Sequence, residues 1–156
     1  MNRYSAQGLE AEFEPGSRGR VLRNLLGIRS VREMQRREST ALLSTTQHMI
    51  DTVTLEHRFT ADGIRQMHRS WLGEIYPWAG EFRQVNIAKG DFMFAAAGQV
   101  PRLMQGLERD VLATSTPCRV AALEDQAHAL AVVHVELILI LRFVREMGAV
   151  HVCYRC

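Results

Sequence analysis

The stretch IYPWAGEFRQVNIAKGDFMF, residues 75–94, decides what this chain folds into. Its first part ends a helix, because YPWAG at residues 76–80 places a proline and a glycine directly after an apolar stripe. Its second part carries apolar residues on both sides of AKGD, and Gly90 supplies the backbone freedom that a tight turn needs. The stretch therefore predicts a helix end followed by one β-hairpin.

Helical patterns precede this stretch. Ser30 can cap a helix that runs to about residue 50, and Thr60 can cap a second helix. The second helix has apolar residues, and one histidine, at helical spacing along one side: Ile64, Met67, His68, Trp71, Leu72 and Ile75. On this face His68 is predicted to be a satisfied core histidine.

Two further helices follow the hairpin. Pro101 opens one, and its apolar face is Val100, Leu103, Met104, Leu107 and Val111. The other starts near residue 119, with the stripe Leu123, Ala127, Leu130, His134, Leu137 and Leu141. Four helices and one hairpin make the predicted fold mostly α.

The composition and net charge indicate the class of protein to which the chain belongs. The chain has 156 residues, 47% of them hydrophobic, and a net charge of +2, so one globular domain is predicted and nucleic-acid binding is not. Arginines do cluster early, but Glu33 and Glu38 are interleaved with them, which favours the solvated face of a helix. The clustered arginines are Arg18, Arg20, Arg23, Arg29, Arg32, Arg36 and Arg37.

The sequence predicts a cytoplasmic protein without a membrane segment. The N-terminus is polar and acidic, unlike a signal peptide. The most apolar run, residues 127–144, is interrupted by His128, Glu136 and Arg142, so a core helix is favoured over a membrane span. Three cysteines form no disulfide framework, as expected in a reducing compartment.

The middle of the chain resembles the first half of a Fic (Fido) domain. The resemblance is carried by residues 60–95, where a helix ending in IYPWAG precedes the pattern R-x-V-N-I-x-K-G, and by the lead-in EFEPGSRGRVLRNLLGI at residues 12–28. It divides the chain into a lead-in (1–28), a partial Fic domain (29–140) and a tail (141–156). The expected fold is a Fic-type helical domain with one hairpin flap, truncated after the helix that precedes the catalytic loop.

The resemblance implies transfer of AMP from ATP, with Mg²⁺, to a hydroxyl side chain of a target protein. It implies that the hairpin is a flap that holds a target segment by strand addition, which suits the unpaired N–H and C=O groups of an exposed edge. An antitoxin-like regulator is a further expected partner. A simple cap over the helical core is the alternative role for the hairpin. The implied flap residues are Gln84, Val85, Asn86, Ile87, Ala88, Lys89, Gly90, Asp91, Phe92, Met93 and Phe94.

The family's catalytic motif, HPFx[D/E]GNGRxxR, is missing where the resemblance places it. The motif should follow HVELILI at residues 134–140, yet the chain continues as LRFVREMGAVHVCYRC. In an ungapped alignment Leu141 replaces the histidine that acts as general base, and Glu146 replaces the first glycine. No catalytic, cofactor-binding or metal-binding residue is therefore assigned, and ATP and Mg²⁺ are not expected to bind productively.

A shifted reading frame explains this tail. Deleting one base from CATCCG gives CTCCG, which turns His-Pro into the Leu-Arg of residues 141 and 142. The single codon of Met147 joined to that of Gly148 restores a motif glycine, and the intervening overlaps can spell Phe-Arg-Glu-Gly-Asn. We therefore expect an out-of-frame tail and an inactive chain, or alternatively a non-catalytic module that binds protein through its flap. The tail also offers His151, Cys153 and Cys156, but this set is too sparse to predict zinc.

Overall fold

The computed structural model describes residues 4–5, 9–89 and 91–141 of the chain. The sequence predictions for Gly90 and for residues 142–156, including the three zinc candidates, lie outside these described residues. The elements are α1 (Val31–Thr52), α2 (Ala61–Leu72), α3 (Val100–Leu107), the single turn α4 (Ala113–Ser115) and α5 (Leu123–Leu141), with β1 (Tyr4–Ser5), β2 (Ala88–Lys89) and β3 (Phe92–Met93). Four long helices and one hairpin confirm the predicted mostly α class.

The first two helices begin where the sequence predicts. The Ser30 hydroxyl accepts a hydrogen bond from the amide of Glu33 at 3.4 Å, and the Thr60 hydroxyl accepts one from the amide of Gly63 at 3.0 Å. Each cap satisfies an amide that the first helical turn leaves without a partner. After α2 the chain enters the YPWAG turn, where Gly80 has a φ of +80°.

Three apolar clusters hold these elements together. The first joins α1, α2 and the YPWAG turn, and its buried members include Met34, Leu72, Ile75 and Tyr76. The second joins α2 and α3 to the C-terminal end of α5; its buried members are Ala61, Val100, Met104, Leu107, Leu112, Ile140 and Leu141. The third lies under the hairpin and consists of Val85, Ile87 and Phe94, with Ile138 of α5 packed against it. The hairpin is therefore seated beside the end of α5.

The hairpin belongs to a three-stranded sheet in the order β1-β2-β3. Ala88 pairs with Met93 and Lys89 with Phe92, both antiparallel, which confirms the predicted hairpin. The sequence did not predict β1, which pairs antiparallel with β2 so that Ser5 lies opposite Ala88. Two residues of strand are too few to show an alternating pattern.

The last helix differs from its prediction in two ways. It begins at Leu123 rather than near residue 119, because its first helical hydrogen bond runs from the Gln126 amide to the Ala122 carbonyl. The core helix that the sequence favours is buried only in part, since Leu123 is 74% exposed and Leu130 48% exposed. Only the C-terminal half of α5 packs against the body of the fold.

The third helix shows a smaller difference of the same kind. Leu103 was predicted to lie on its buried face but is 37% exposed, whereas Met104 and Leu107 are buried. Helix α3 continues directly into a π-helical turn over Glu108–Leu112, which changes the helical repeat and brings Leu112 into the core. Among the helices in the described ranges, none has the length and apolar character required to cross a bilayer.

Candidate functional site

The sheet has two edge strands within the described residues, β1 and β3, and the outer edge of β3 is the one formed by the hairpin. The amide of Phe94 donates to the carbonyl of Ile87 at 3.1 Å, so these two residues form a hydrogen-bonded pair. Hydrogen-bonded and non-hydrogen-bonded pairs alternate in an antiparallel ladder, so Met93 opposite Ala88 directs its N–H and C=O away from β2. The other side of β2 is taken by β1, which leaves the Met93 side for an incoming strand.

This open edge leads to the end of α5. Ala95 lies two residues after Met93 on the same side of the strand, and its amide donates to the carbonyl of Leu139 at 3.4 Å. A segment that pairs with Met93 would therefore continue along β3 towards the last turn of α5. That turn is the place where the family's catalytic motif is expected to start.

The side chains of the predicted flap divide into a packed set and an exposed set. Val85, Ile87 and Phe94 are buried in the third cluster, so part of the hairpin does cap the helical core. Phe92 and Met93 are 51% and 62% exposed, and Gln84, Asn86 and Asp91 are also exposed. One part of the hairpin thus packs on the helical core, while the outer edge of β3 remains open. Binding of a target by these residues stays a prediction.

Arg83 connects the hairpin to the end of α5. Its guanidinium is almost fully buried, at 3% exposure, and donates to the carbonyls of Val85 at 2.8 Å and of Ala95, one on each leg of the hairpin. It also donates to the carbonyls of Ile140 and Leu141, both at 3.2 Å. Both carbonyls belong to the last described turn of α5, so Arg83 ties the hairpin to that turn.

Glu10 provides the opposite charge for this buried arginine. Its carboxylate accepts from the amide of Gln84 at 3.1 Å and 3.3 Å and interacts electrostatically with Arg83. Burial raises the pKa of Glu10, and the Gln84 amide and the Arg83 charge partly offset that rise. Burial likewise lowers the pKa of Arg83, with Glu10 acting in the opposite direction. The lead-in segment, the hairpin and α5 therefore meet at two buried side chains of opposite charge.

His68 fixes the turn between α2 and the hairpin. Its Nδ1 accepts a hydrogen bond from the amide of Gly80 at 2.9 Å, and its ring stacks on Trp78 with centroids 6.0 Å apart. Burial lowers the pKa of His68 to about 4, so the ring is neutral at pH 7. The prediction of a core histidine is confirmed, because the ring is buried and its Nδ1 is hydrogen-bonded. A Cβ at Gly80 would lie 2.7 Å from the Cβ of Arg69, so no larger residue fits this turn.

The described residues near the end of α5 do not fit a nucleotide with its metal. Leu141, which stands in place of the motif's histidine, is 5% exposed and contributes only a carbonyl already bound to Arg83. Within the described ranges no three His, Cys, Asp or Glu side chains lie close enough to hold a metal ion. This part of the chain therefore supplies neither a general base nor a phosphate cradle.

Sequence reasoning missed the roles of Glu10 and Arg83. Arg83 lay within the quoted hairpin pattern, but nothing in its immediate sequence indicates that the arginine will be buried. Glu10 lies 74 residues away from its partner Gln84, and no local spacing signals such a contact. The one available sign of a structural role was that Arg83 is the charged residue at the start of the R-x-V-N-I pattern.

Comparisons with known proteins agree with this geometry. The sequence profile of the Fic/DOC family matches residues 58–145. Protein adenylyltransferase VbhT of Bartonella schoenbuchensis is 31% identical over 94 residues, which is 58% of this chain and 20% of that protein. Probable protein adenylyltransferase Fic of Escherichia coli is 32% identical over 97 residues, or 58% of this chain and 46% of that protein. The chain thus spans less than half the length of these curated relatives.

Two solved structures share the fold. The N-terminal Fic domain of a Bartonella effector protein (Bep) from Bartonella sp. AR 15-3 superposes with a TM-score of 0.69 at 18% identity, covering 86% of this chain and 65% of that one. The FIC domain of Bep5 from Bartonella clarridgeiae gives 0.58 at 17% identity, covering 79% and 61%. At such identities the likeness concerns the fold alone. Because the family profile covers more than half of the 156 residues, the chain belongs to the Fic/DOC family.

Proposed function

We propose that this chain derives from a protein adenylyltransferase and is itself catalytically inactive. The ancestral reaction would transfer AMP from ATP, with Mg²⁺, to a hydroxyl side chain of a target protein in a cytoplasmic setting. Both curated relatives are adenylyltransferases by name, which supports the class of reaction. The proposed cause of inactivity is a shift of reading frame at codon 141, so that residues 141–156 are an out-of-frame tail.

One observation carries the proposal. Arg83 ties both legs of the hairpin to the carbonyls of Ile140 and Leu141, so the flap and the start of the expected catalytic loop are held side by side. The scaffold for the chemistry is therefore present up to residue 140. The next residue is Leu141, which has no proton to exchange at neutral pH and is buried.

The test is an AMP-transfer assay with ATP radiolabelled at its α-phosphate. The chain is incubated with Mg²⁺ and lysate, and labelled proteins are separated and imaged. A relative that is named as a protein adenylyltransferase, VbhT of Bartonella schoenbuchensis, is the positive control. We expect no protein labelled above the background without enzyme. Labelling by this chain at a rate near that of the control would disprove the proposal.

A second candidate function is a non-catalytic module that captures an extended segment of a partner through the hairpin. The open β3 edge favours it, since backbone groups at Met93 face outward beside two exposed apolar side chains. The partner would be the former target segment or an antitoxin-like regulator. Strand addition needs backbone hydrogen bonds at the edge but no catalytic residue.

Proline at Met93 tests strand capture without damaging the hairpin. It removes the one outward N–H, whereas Met93→Val keeps it and is the matched control. Proline at Ile87 is a poorer choice because Ile87 is buried in the third cluster. In a pull-down we expect Met93→Pro to lose partner proteins that wild type and Met93→Val both retain. Equal retention by all three chains would reject capture at this edge.

A further inference from the structure

The outer face of α1 carries an ordered stripe of exposed residues. Arg32, Arg36, Leu43 and Ile50 follow one another at intervals of four, seven and seven, which places them along one side of the helix. Leu43 is 72% exposed and Ile50 58% exposed, and both arginines are exposed. Met34, on the opposite side, is completely buried in the first cluster. We call these four residues the α1 stripe.

The two arginines of the α1 stripe have no counter-charge in the described part of the chain. Their neighbour Arg37 is paired with Glu74 at 3.0 Å, and Arg23 is paired with Glu12 at 2.9 Å, so nearby arginines do find partners. Arg32 and Arg36 also lie in the first two turns of α1, where the helix dipole disfavours positive charge. An external carboxylate at this end would stabilise both side chains.

A depression in the surface lies beside the arginine end of the α1 stripe. Its volume is about 220 Å³, and it is lined by Ile28, Glu33, Arg36, Arg37 and Thr40. Arg36 thus stands at the boundary between the stripe and the depression. A side chain that reached Arg36 from outside could enter this space.

We propose that the α1 stripe docks an amphipathic helix of a partner protein, with acidic residues facing Arg32 and Arg36 and apolar residues facing Leu43 and Ile50. The seven-residue intervals fit the seam between two helices. A second copy of this chain is a poor occupant, because a parallel copy would set arginine against arginine and an antiparallel copy would bury arginine against Ile50. The proposal concerns α1 alone and does not rest on AMP transfer or on the flap.

The probe is a fluorescein-labelled helical peptide, made in both chain directions. Its leucines have the spacing of Leu43 and Ile50, and its glutamates have the spacing of Arg32 and Arg36. Binding to the full chain is followed by fluorescence anisotropy. We expect saturable binding of one direction, and a loss of affinity of about ten-fold or more in the Arg32→Glu/Arg36→Glu variant. A peptide with lysine in place of glutamate should restore binding to that variant.

The matched control is Arg20→Glu/Arg102→Glu, which changes net charge equally at two exposed arginines off the stripe. It should bind the peptide with wild-type affinity, and circular dichroism shows whether each variant remains folded. Absence of saturable binding, or equal weakening by the control, would overturn the proposal. So would stronger binding to phosphatidylserine vesicles than to the peptide, since that result would assign the stripe to a membrane surface.

Discussion

Arg83 is the side chain on which three segments of the chain depend. Replacing it with methionine keeps much of the volume but leaves Glu10 buried without its counter-charge and removes the hydrogen bonds to the carbonyls of Ile140 and Leu141. Leaving buried hydrogen-bonding groups without their partner costs about 1–3 kcal/mol. We expect Arg83→Met to lower the free energy of unfolding in urea by about that amount.

The control for this prediction is Arg102→Met, at an exposed position on α3. A surface substitution of this kind changes stability by about 0.5 kcal/mol or less. Hydrogen exchange provides a second measurement, because the Phe94 amide bonded to Ile87 should lose protection in Arg83→Met. A change in stability below about 1 kcal/mol, with Phe94 still protected, would contradict the role assigned to Arg83.

His68 makes stability depend on pH. Its pKa is about 4 in the folded chain and about 6.5 when unfolded, so between these values only the unfolded chain takes up the proton. The stabilising contribution is complete above pH 6.5 and is lost as pH falls towards 4. We expect the free energy of unfolding to decrease by about 2 kcal/mol between pH 7 and pH 5.

The matched variant is His68→Asn, whose side-chain oxygen can accept the hydrogen bond from the Gly80 amide without titrating. This variant should lose most of the decrease between pH 7 and pH 5. Glu10 acts in the opposite sense, because a raised pKa favours the folded state as pH falls, and its window extends upwards from the ordinary pKa of 4.5. Identical pH profiles for the two chains would show that His68 is not the titrating group.

Helix α5 leaves several of its apolar side chains exposed. Leu123 is 74% exposed and Val135 52% exposed, whereas Leu137 packs against the second cluster. Exposed apolar surface on a helix promotes association between molecules. We expect Leu123→Glu/Val135→Glu to reduce light scattering on warming while changing the unfolding free energy little. Leu137→Glu, which introduces the same charge at a packed position, should instead destabilise the fold.

The outcome would be judged from scattering and urea unfolding on the same samples. If the double variant aggregates as readily as the wild type, the exposed face of α5 is not the source of association. If Leu137→Glu unfolds no more easily than the wild type, the packing assigned to the C-terminal half of α5 is wrong.

The elements differ in how far sequence could predict them. Helices α1 and α2 were predictable because Ser30 and Thr60 are local caps and the apolar stripes have a clear period. The start of α5 and its exposed half were not, since an apolar stripe shows which residues prefer burial but not whether another element is there to cover them. Strand β1 was missed because its two residues acquire their conformation only from pairing with β2.

The candidate site shows the same division. The hairpin and its turn follow from local composition, and the family resemblance supplied its expected role. Glu10, Arg83 and the end of α5 are close in space, but the hydrogen bonds between these segments join residues 58 and 74 positions apart. Their contact therefore becomes visible only in the three-dimensional structure. What distinguishes this chain from its relatives, the replacement of the motif after residue 140, was readable directly from the sequence.

At the scale of the whole molecule, the chain has the fold of the family up to residue 140, but the family's catalytic motif is missing from the sequence that follows. The family profile, the seated hairpin and the end of α5 bound by Arg83 all belong to a Fic/DOC protein. Within the described ranges no cluster of three His, Cys, Asp or Glu side chains is placed to hold a metal ion, and a buried leucine stands where the motif's histidine is expected. We therefore expect that the chain can fold up to residue 140 without being catalytic. Restoring the one base at codon 141 is expected to restore catalysis.

The most direct test compares AMP transfer by this chain with transfer by the product of the same gene after one base is restored at codon 141. Both are assayed with ATP radiolabelled at its α-phosphate, Mg²⁺ and lysate. The account predicts no labelled protein with this chain and a labelled target with the restored product. Labelling by the unrestored chain, or none by a folded restored product, would contradict it.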